Sequence, residues 1–165
     1  MSAPRPLAVD VVSDVVCPWC YLGKRRLDAA VAATSELDVE VRWRPFQLDP
    51  TVPPEGLDRR AYMAAKFPDA AQLQAAHDRL RELGRQVGID YRFDAIERAP
   101  NTLDAHRLIR WATVEGVQAE VVERLFALYF VEGADIGRHD VLAAAASDTG
   151  MDAAVALRLL AGDAD

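Results

Sequence analysis

The chain has 165 residues, 51% of them apolar, with 26 acidic residues against 19 Lys and Arg and a net charge of −7. That length can bury a sizeable core in one domain, or in one domain carrying a large insertion. The acidic balance excludes a nucleic-acid partner, which needs a basic face, and no segment is long and apolar enough to span a bilayer.

The first predicted element is a strand over Leu7–Val12, rich in β-branched residues and expected to be mostly buried. Asp10 and Asp14 interrupt the apolar N-terminal stretch, so it lacks the continuous apolar region of a secretory signal, and a cytoplasmic location is expected. A helix then opens at Cys17-Pro18-Trp19-Cys20, takes its apolar face from Leu22, Leu27, Ala30 and Val31, and should end near Thr34. The Lys24-Arg25-Arg26 run in its second turn reads as a solvated face. Val39, Val41 and Trp43 alternate with Glu40, Arg42 and Arg44, the period-two pattern of a strand with one wet face, which Pro45 closes. Strand, helix, strand at this spacing is a βαβ unit, with the cysteines at the carboxyl end of the first strand, where chemistry collects in open α/β sheets.

Beyond Pro50 the character changes. Thr51 to Gly56, with Pro53-Pro54, reads as a linker. Nearly everything after Asp58 is expected to be helical. A short helix stops before Pro68, and a long one carries the stripe Leu73, Ala76, Leu80, Leu83 and Val87 up to Gly88. Tyr91 to Ile96 reads as an irregular connector. Asn101 can cap a helix running to about Gly116, Val121 to Tyr129 supply the face of another closed by Gly133, and Val141–Ser147 and Met151–Leu160 form two more. The expected division is residues 6–52, the βαβ part, and 53–165, a helical part.

Cys17 and Cys20 are the only cysteines. Two residues between them at a helix start bring the sulfurs within bonding reach, and the helix N-terminus stabilises a thiolate at Cys17. Cys17 would then attack a disulfide and Cys20 would resolve the mixed disulfide. Pro18 suits the first turn, where a missing N–H costs nothing. A zinc site is the weaker reading, because His77, His106 and His139 are scattered and zinc needs about four ligands. A structural disulfide over so short a loop would constrain little of the unfolded chain. No metal or other cofactor is expected.

Three segments carry a resemblance: Ser13 to Arg26, around the Cys-Pro-Trp-Cys run; Trp43-Arg44-Pro45-Phe46-Gln47-Leu48; and Pro100-Asn101-Thr102-Leu103-Asp104-Ala105-His106-Arg107. Together, in this order, they resemble the DsbA-family, FrnE-like thiol-disulfide oxidoreductases, a match that extends through Tyr129-Phe130 and Gly133 to Ile136. The resemblance implies an α/β, thioredoxin-like fold interrupted by a large all-helical insertion. It also implies kinship with 2-hydroxychromene-2-carboxylate isomerase and kappa-class glutathione transferase; the isomerase relatives usually carry serine where this chain has Cys17. In that family the insertion is followed by further strands, a helix and a cis-proline loop facing the cysteines. This chain ends at Asp165 with Pro100 as its last proline, so those C-terminal strands and that loop are expected to be missing, and exposed edges and apolar surface are expected to favour a homodimer.

The expected catalytic residues are Cys17 and Cys20, and the expected substrate-binding residues are Pro18, Trp19, Phe46, Asn101 and Thr102. Phe46 reads equally as a groove residue and as core, and Asn101 equally as a ligand contact and as a helix cap. Asp14 either forms a turn or, as a nearby carboxylate, raises the thiol pKa. His106 reads as a satisfied helix histidine before a catalytic base. The expected partner is a disulfide-containing protein or a small thiol such as glutathione. Three functions stay open: a dithiol oxidoreductase, a glutathione-dependent isomerase or transferase that would not need Cys20, and a non-catalytic fragment.

Overall fold

The computed structural model describes residues 6–163. Strands β1 (Leu7–Ser13) and β2 (Val39–Pro45) pair in parallel, Val9 opposite Val41 and Val11 opposite Trp43, with helix α1 (Pro18–Ala33) as the crossover. The alternation expected of β2 is present, with Trp43 buried and Glu40, Arg42 and Arg44 exposed. β1 departs from expectation. Leu7, Ala8, Asp10 and Val12 are exposed, Val12 to 63%, because helices cover only the Val9, Val11, Val41 and Trp43 side of the strand pair. On the outer face Arg44 reaches Asp10 at 3.0 Å. At Trp43 of β2, the Gln118 carboxamide accepts from the backbone N–H (2.9 Å) and donates to the carbonyl (3.2 Å), standing in for a neighbouring strand at that one residue.

The basic run of α1 is a second correction. Lys24 is buried and bonded to Asp28 (2.7 Å) and Glu123 (3.1 Å), and Arg25 forks onto Glu123 through Nε (3.0 Å) and Nη2 (2.6 Å); only Arg26 is solvated. The helix turns its Tyr21, Lys24 and Arg25 side, rather than Ala30, toward α5. Burial pushes the Glu123 carboxyl up, but Arg25 and Lys24 outweigh it and the group is held below its ordinary pKa.

The helical part comprises α2 (Arg59–Lys66), α3 (Ala70–Gln86), α4 (Leu103–Glu115), α5 (Gln118–Phe130), α6 (His139–Asp148) and α7 (Ala153–Leu160). Gly88 and Gly116 take positive φ (77° and 73°) just past α3 and α4, the left-handed turn a side chain would resist. Two short strands went unanticipated: β3 (Leu57–Asp58), just after the expected linker, pairs antiparallel with β4 (Arg98–Ala99). The cap of α4 is shifted by one residue. Thr102 occupies the N-cap position, while the Asn101 carboxamide accepts from the Leu103 N–H at 2.9 Å, so Asn101 still satisfies a first-turn donor.

One apolar core runs through both parts. Val15, Tyr21 and Trp43 from the βαβ unit join Leu108, Val121, Leu125, Phe126, Ile136 and Leu142. Tyr21 stacks on Phe126 with centroids 4.9 Å apart, and Tyr91 lies 5.1 Å from Phe93 and edge-on to Phe130 at 5.6 Å. The expected connector at Tyr91–Ile96 is thus core, its 3₁₀ turn at Phe93–Ala95 placing two aromatics inside. Each such ring contributes about 2–3 kcal/mol of burial. Gly84 lets α3 approach this cluster: a Cβ there would stand 2.7 Å from Tyr91 Cδ2 and 2.8 Å from the Ile89 carbonyl. Gly84→Ala is therefore expected to cost about 1–3 kcal/mol, read as a lowered melting temperature; an unchanged melt would contradict this packing.

Candidate active site

The cysteines sit where β1 hands over to α1. Cys17 is the N-cap residue, in extended conformation (φ −93°, ψ 110°), with Pro18 in the first turn and no side chain capping the helix. The Asp14 carbonyl accepts the Cys17 N–H at 3.0 Å, closing the tight turn that presents the first sulfur. The two sulfurs lie 3.2 Å apart, and both residues are free thiols. Their hydrogen bond divides them: it brings Cys20 down to about 7, while the same bond and burial push Cys17 up. The pair therefore gives up its first proton near pH 7. The N–H groups of Trp19 and Cys20 favour charge on Cys17 but are outweighed, and at Cys20 a backbone hydrogen bond from Asp14 favours charge more than the Asp14 carboxylate opposes it, so the thiolate rests on Cys20 and not, as expected, on Cys17.

A pH dependence follows with a defined sign. A thiol whose folded pKa is lowered stabilises the fold above its unfolded value, and this contribution is lost as pH falls through about 7. Alkylation of the pair by iodoacetamide is expected to rise through pH 7. A midpoint at 9.0, the ordinary thiol value, would contradict this.

Asp14 is 2% exposed and fully engaged. Its Oδ2 accepts from the Leu48 N–H (2.7 Å) and its Oδ1 lies 3.0 Å from His106 Nε2. Both plain readings hold at once: Asp14 forms the turn and His106 is a satisfied helix histidine, each by way of the other. This joint ties the cysteine loop to the segment after β2 and to α4. A second tie comes from Tyr91, whose hydroxyl donates to the Pro18 carbonyl at 2.5 Å. Burial raises the Tyr91 pKa, which keeps it a donor. Tyr91 was missed because it lies in an apparent connector; the one signal was the alternation Tyr91, Phe93.

In front of the cysteines lies a cavity of about 940 Å³. Cys17, Pro18 and Trp19 line it with Met63 of α2, Phe67 just after α2, Leu73 and Leu80 of α3, and Thr102, Tyr129 and Phe130 from the bundle. Of the expected site residues, Cys17, Pro18, Trp19 and Thr102 meet on this cavity. Cys20 packs against the core behind it. Asn101 is drawn instead into bonds with Gln47 (3.1 Å), the Val52 carbonyl (2.6 Å) and Leu103, and Phe46 is 52% exposed away from the cavity. The sequence did not single out Asp49, Tyr62 and Lys66 on the cavity wall, where the Tyr62 hydroxyl donates to Asp49 (2.9 Å) and accepts from Lys66 (2.9 Å).

The family model of the DSBA-like thioredoxin domain matches residues 8–165. The chain belongs to the DSBA-like thioredoxin family. Within that family's reach, it is 29% identical over 146 residues to the uncharacterized protein YwbO of Bacillus subtilis (strain 168), covering 88% of this chain and 68% of that one. It superposes on the crystal structure of a probable DsbA oxidoreductase from Streptomyces coelicolor with a TM-score of 0.85 and 30% identity, over 94% of this chain and 68% of the other. A 2-hydroxychromene-2-carboxylate isomerase structure aligns with a TM-score of 0.69 over 95% of this chain and 72% of that one; at 16% identity it speaks for the fold alone. The DSBA-like assignment bears out the expected resemblance and the thioredoxin-like α/β fold with a helical insertion. Among the described residues no helix is long and apolar enough to cross a membrane.

Proposed function

We propose that the chain is a FrnE-like protein-disulfide oxidoreductase of bacterial, cytoplasmic type, with Cys17 as nucleophile and Cys20 as resolving thiol. The observation that carries this reading is the asymmetry of the pair: Cys17 lines the cavity, whereas Cys20, 3.2 Å behind it, packs against the core. An incoming disulfide meets Cys17 first, and the mixed disulfide it forms lies within reach of Cys20. Pro18, Trp19 and Thr102 border the approach, whereas Phe46 and Asn101, neither of which lines the cavity, stand outside the proposed binding set. Residues 6–52 then carry the redox pair and 53–165 the wall opposite it. In a reducing compartment the net direction is reduction or isomerisation.

Equilibration in glutathione buffers of graded redox poise tests this. A reversible Cys17–Cys20 disulfide is expected, with a potential between about −270 mV, the value for thioredoxin, and about −120 mV, the value for DsbA. Failure to form that disulfide at any poise would sink the reading.

A further inference from the structure

The cavity's chemistry is more particular than a generic apolar groove. Its volume of about 940 Å³ is that of a site able to hold a low-molecular-weight ligand. α2 has no buried residue, yet Met63 and Phe67, four apart on one face, point at the cavity with Arg59 one turn before them. That face is presented to the cavity and not to the core.

The charges on the wall are unequal in their commitments. Each carboxylate is engaged: Asp14 by His106 and Leu48, Asp49 by Thr51 and Tyr62, and Asp69 as the cap accepting from the Gln72 N–H at 3.0 Å. Lys66 reaches Asp49 only at 4.0 Å. Arg59 makes no ion pair among the described residues; its guanidinium lies by the Tyr129 hydroxyl and near His77, neither of which offers it an anion. A guanidinium in this position is matched by an anion on the ligand.

We propose that the cavity binds an apolar, acidic disulfide of low molecular weight, its body against Met63, Phe67 and Leu73, its anionic group at Arg59 and its sulfurs at Cys17. This rests on the oxidoreductase reading above. Cys17 passes its proton to the Cys20 thiolate as it attacks one ligand sulfur, the ligand S–S bond breaks, and one thiolate leaves while a Cys17–ligand disulfide forms. The Cys20 thiolate then attacks the Cys17 sulfur and expels the second thiolate. The ligand gains two electrons and becomes two thiols, the protein loses two and becomes the Cys17–Cys20 disulfide, and the protons of the original thiols pass to solvent or to the departing thiolates. A dithiol reductant such as dithiothreitol returns the pair to its starting state.

The experiment follows oxidation of the reduced chain by 5,5′-dithiobis(2-nitrobenzoate), an aryl diacid disulfide, and by 2-hydroxyethyl disulfide, small and uncharged, each rate normalised to that of free glutathione. The aryl diacid is expected to show saturation with concentration, and the small disulfide a linear dependence. Arg59→Gln is expected to lower the ratio of the two normalised rates about tenfold. Linear kinetics with both probes, or an unchanged ratio in Arg59→Gln, would overturn the ligand assignment. So would stronger competition from a disulfide-bonded peptide with apolar flanks than from the aryl diacid. If 2-hydroxyethyl disulfide itself yields no Cys17–Cys20 disulfide, it is the oxidoreductase reading that fails.

Discussion

Replacing Cys17 by serine is expected to lower dithiothreitol-driven insulin reduction by about a thousandfold or more, because the hydroxyl is not ionised near neutral pH and no other thiol lines the cavity among the described residues. Cys20→Ser is expected to lose turnover as well, but by a different route: the first exchange still occurs, and the product stays bound as a mixed disulfide. The two variants also separate the readings left open by the sequence. A glutathione-dependent isomerase or transferase needs one thiol, so Cys20→Ser would retain most of its activity. A dithiol enzyme would not. Insulin turnover in both variants, with mass spectrometry of the products, decides the point.

Asp14→Ala is expected to cost about 3–5 kcal/mol, the combined scale of leaving two buried polar partners, the Leu48 N–H and the His106 ring nitrogen, unsatisfied. The substitution strands His106, 6% exposed, and frees the Leu48 N–H, which Asp14 holds at 2.7 Å. For a chain of this size that corresponds to a melting temperature lower by about 10 °C or more. Asp14→Asn should lose much less, since a carboxamide still accepts from Leu48 while the histidine changes tautomer to accept from it. Thermal melts of both variants check this. Equal losses in the two would show that charge, and not the hydrogen-bond geometry, holds the joint together.

Local pattern made much of this legible. The βαβ unit followed from β-branched alternation and the helix-opening cysteines, and most helices from their stripes and glycine stops. Long-range pairing was not legible. Nothing near Lys24 in sequence announces Glu123, nearly a hundred residues away, whose carboxylate turns an apparent solvated run into a buried ion cluster. Val12 reads as buried by its neighbours, but exposure depends on which layers cover a sheet. Tyr91 and Phe93 look like connector residues until α3 and α5 close around them. At the site, the closeness of Cys17 and Cys20 was legible because a two-residue spacing at a helix start brings them together. Phe46 and Asn101 were not placed by such a rule, since their direction depends on loops whose partners, Ser13 for the Phe46 backbone and Val52 for the Asn101 side chain, lie far along the chain.

In the proposed reaction Cys17 attacks and Cys20 resolves. Incubating Cys20→Ser and Cys17→Ser side by side with glutathione disulfide, and measuring adduct formation by intact mass over time, tests it most directly. Rapid glutathionylation of Cys17 is expected in the first variant and little reaction at Cys20 in the second, whose sulfur packs against the core and does not line the cavity. Faster adduct formation on Cys20 would contradict it.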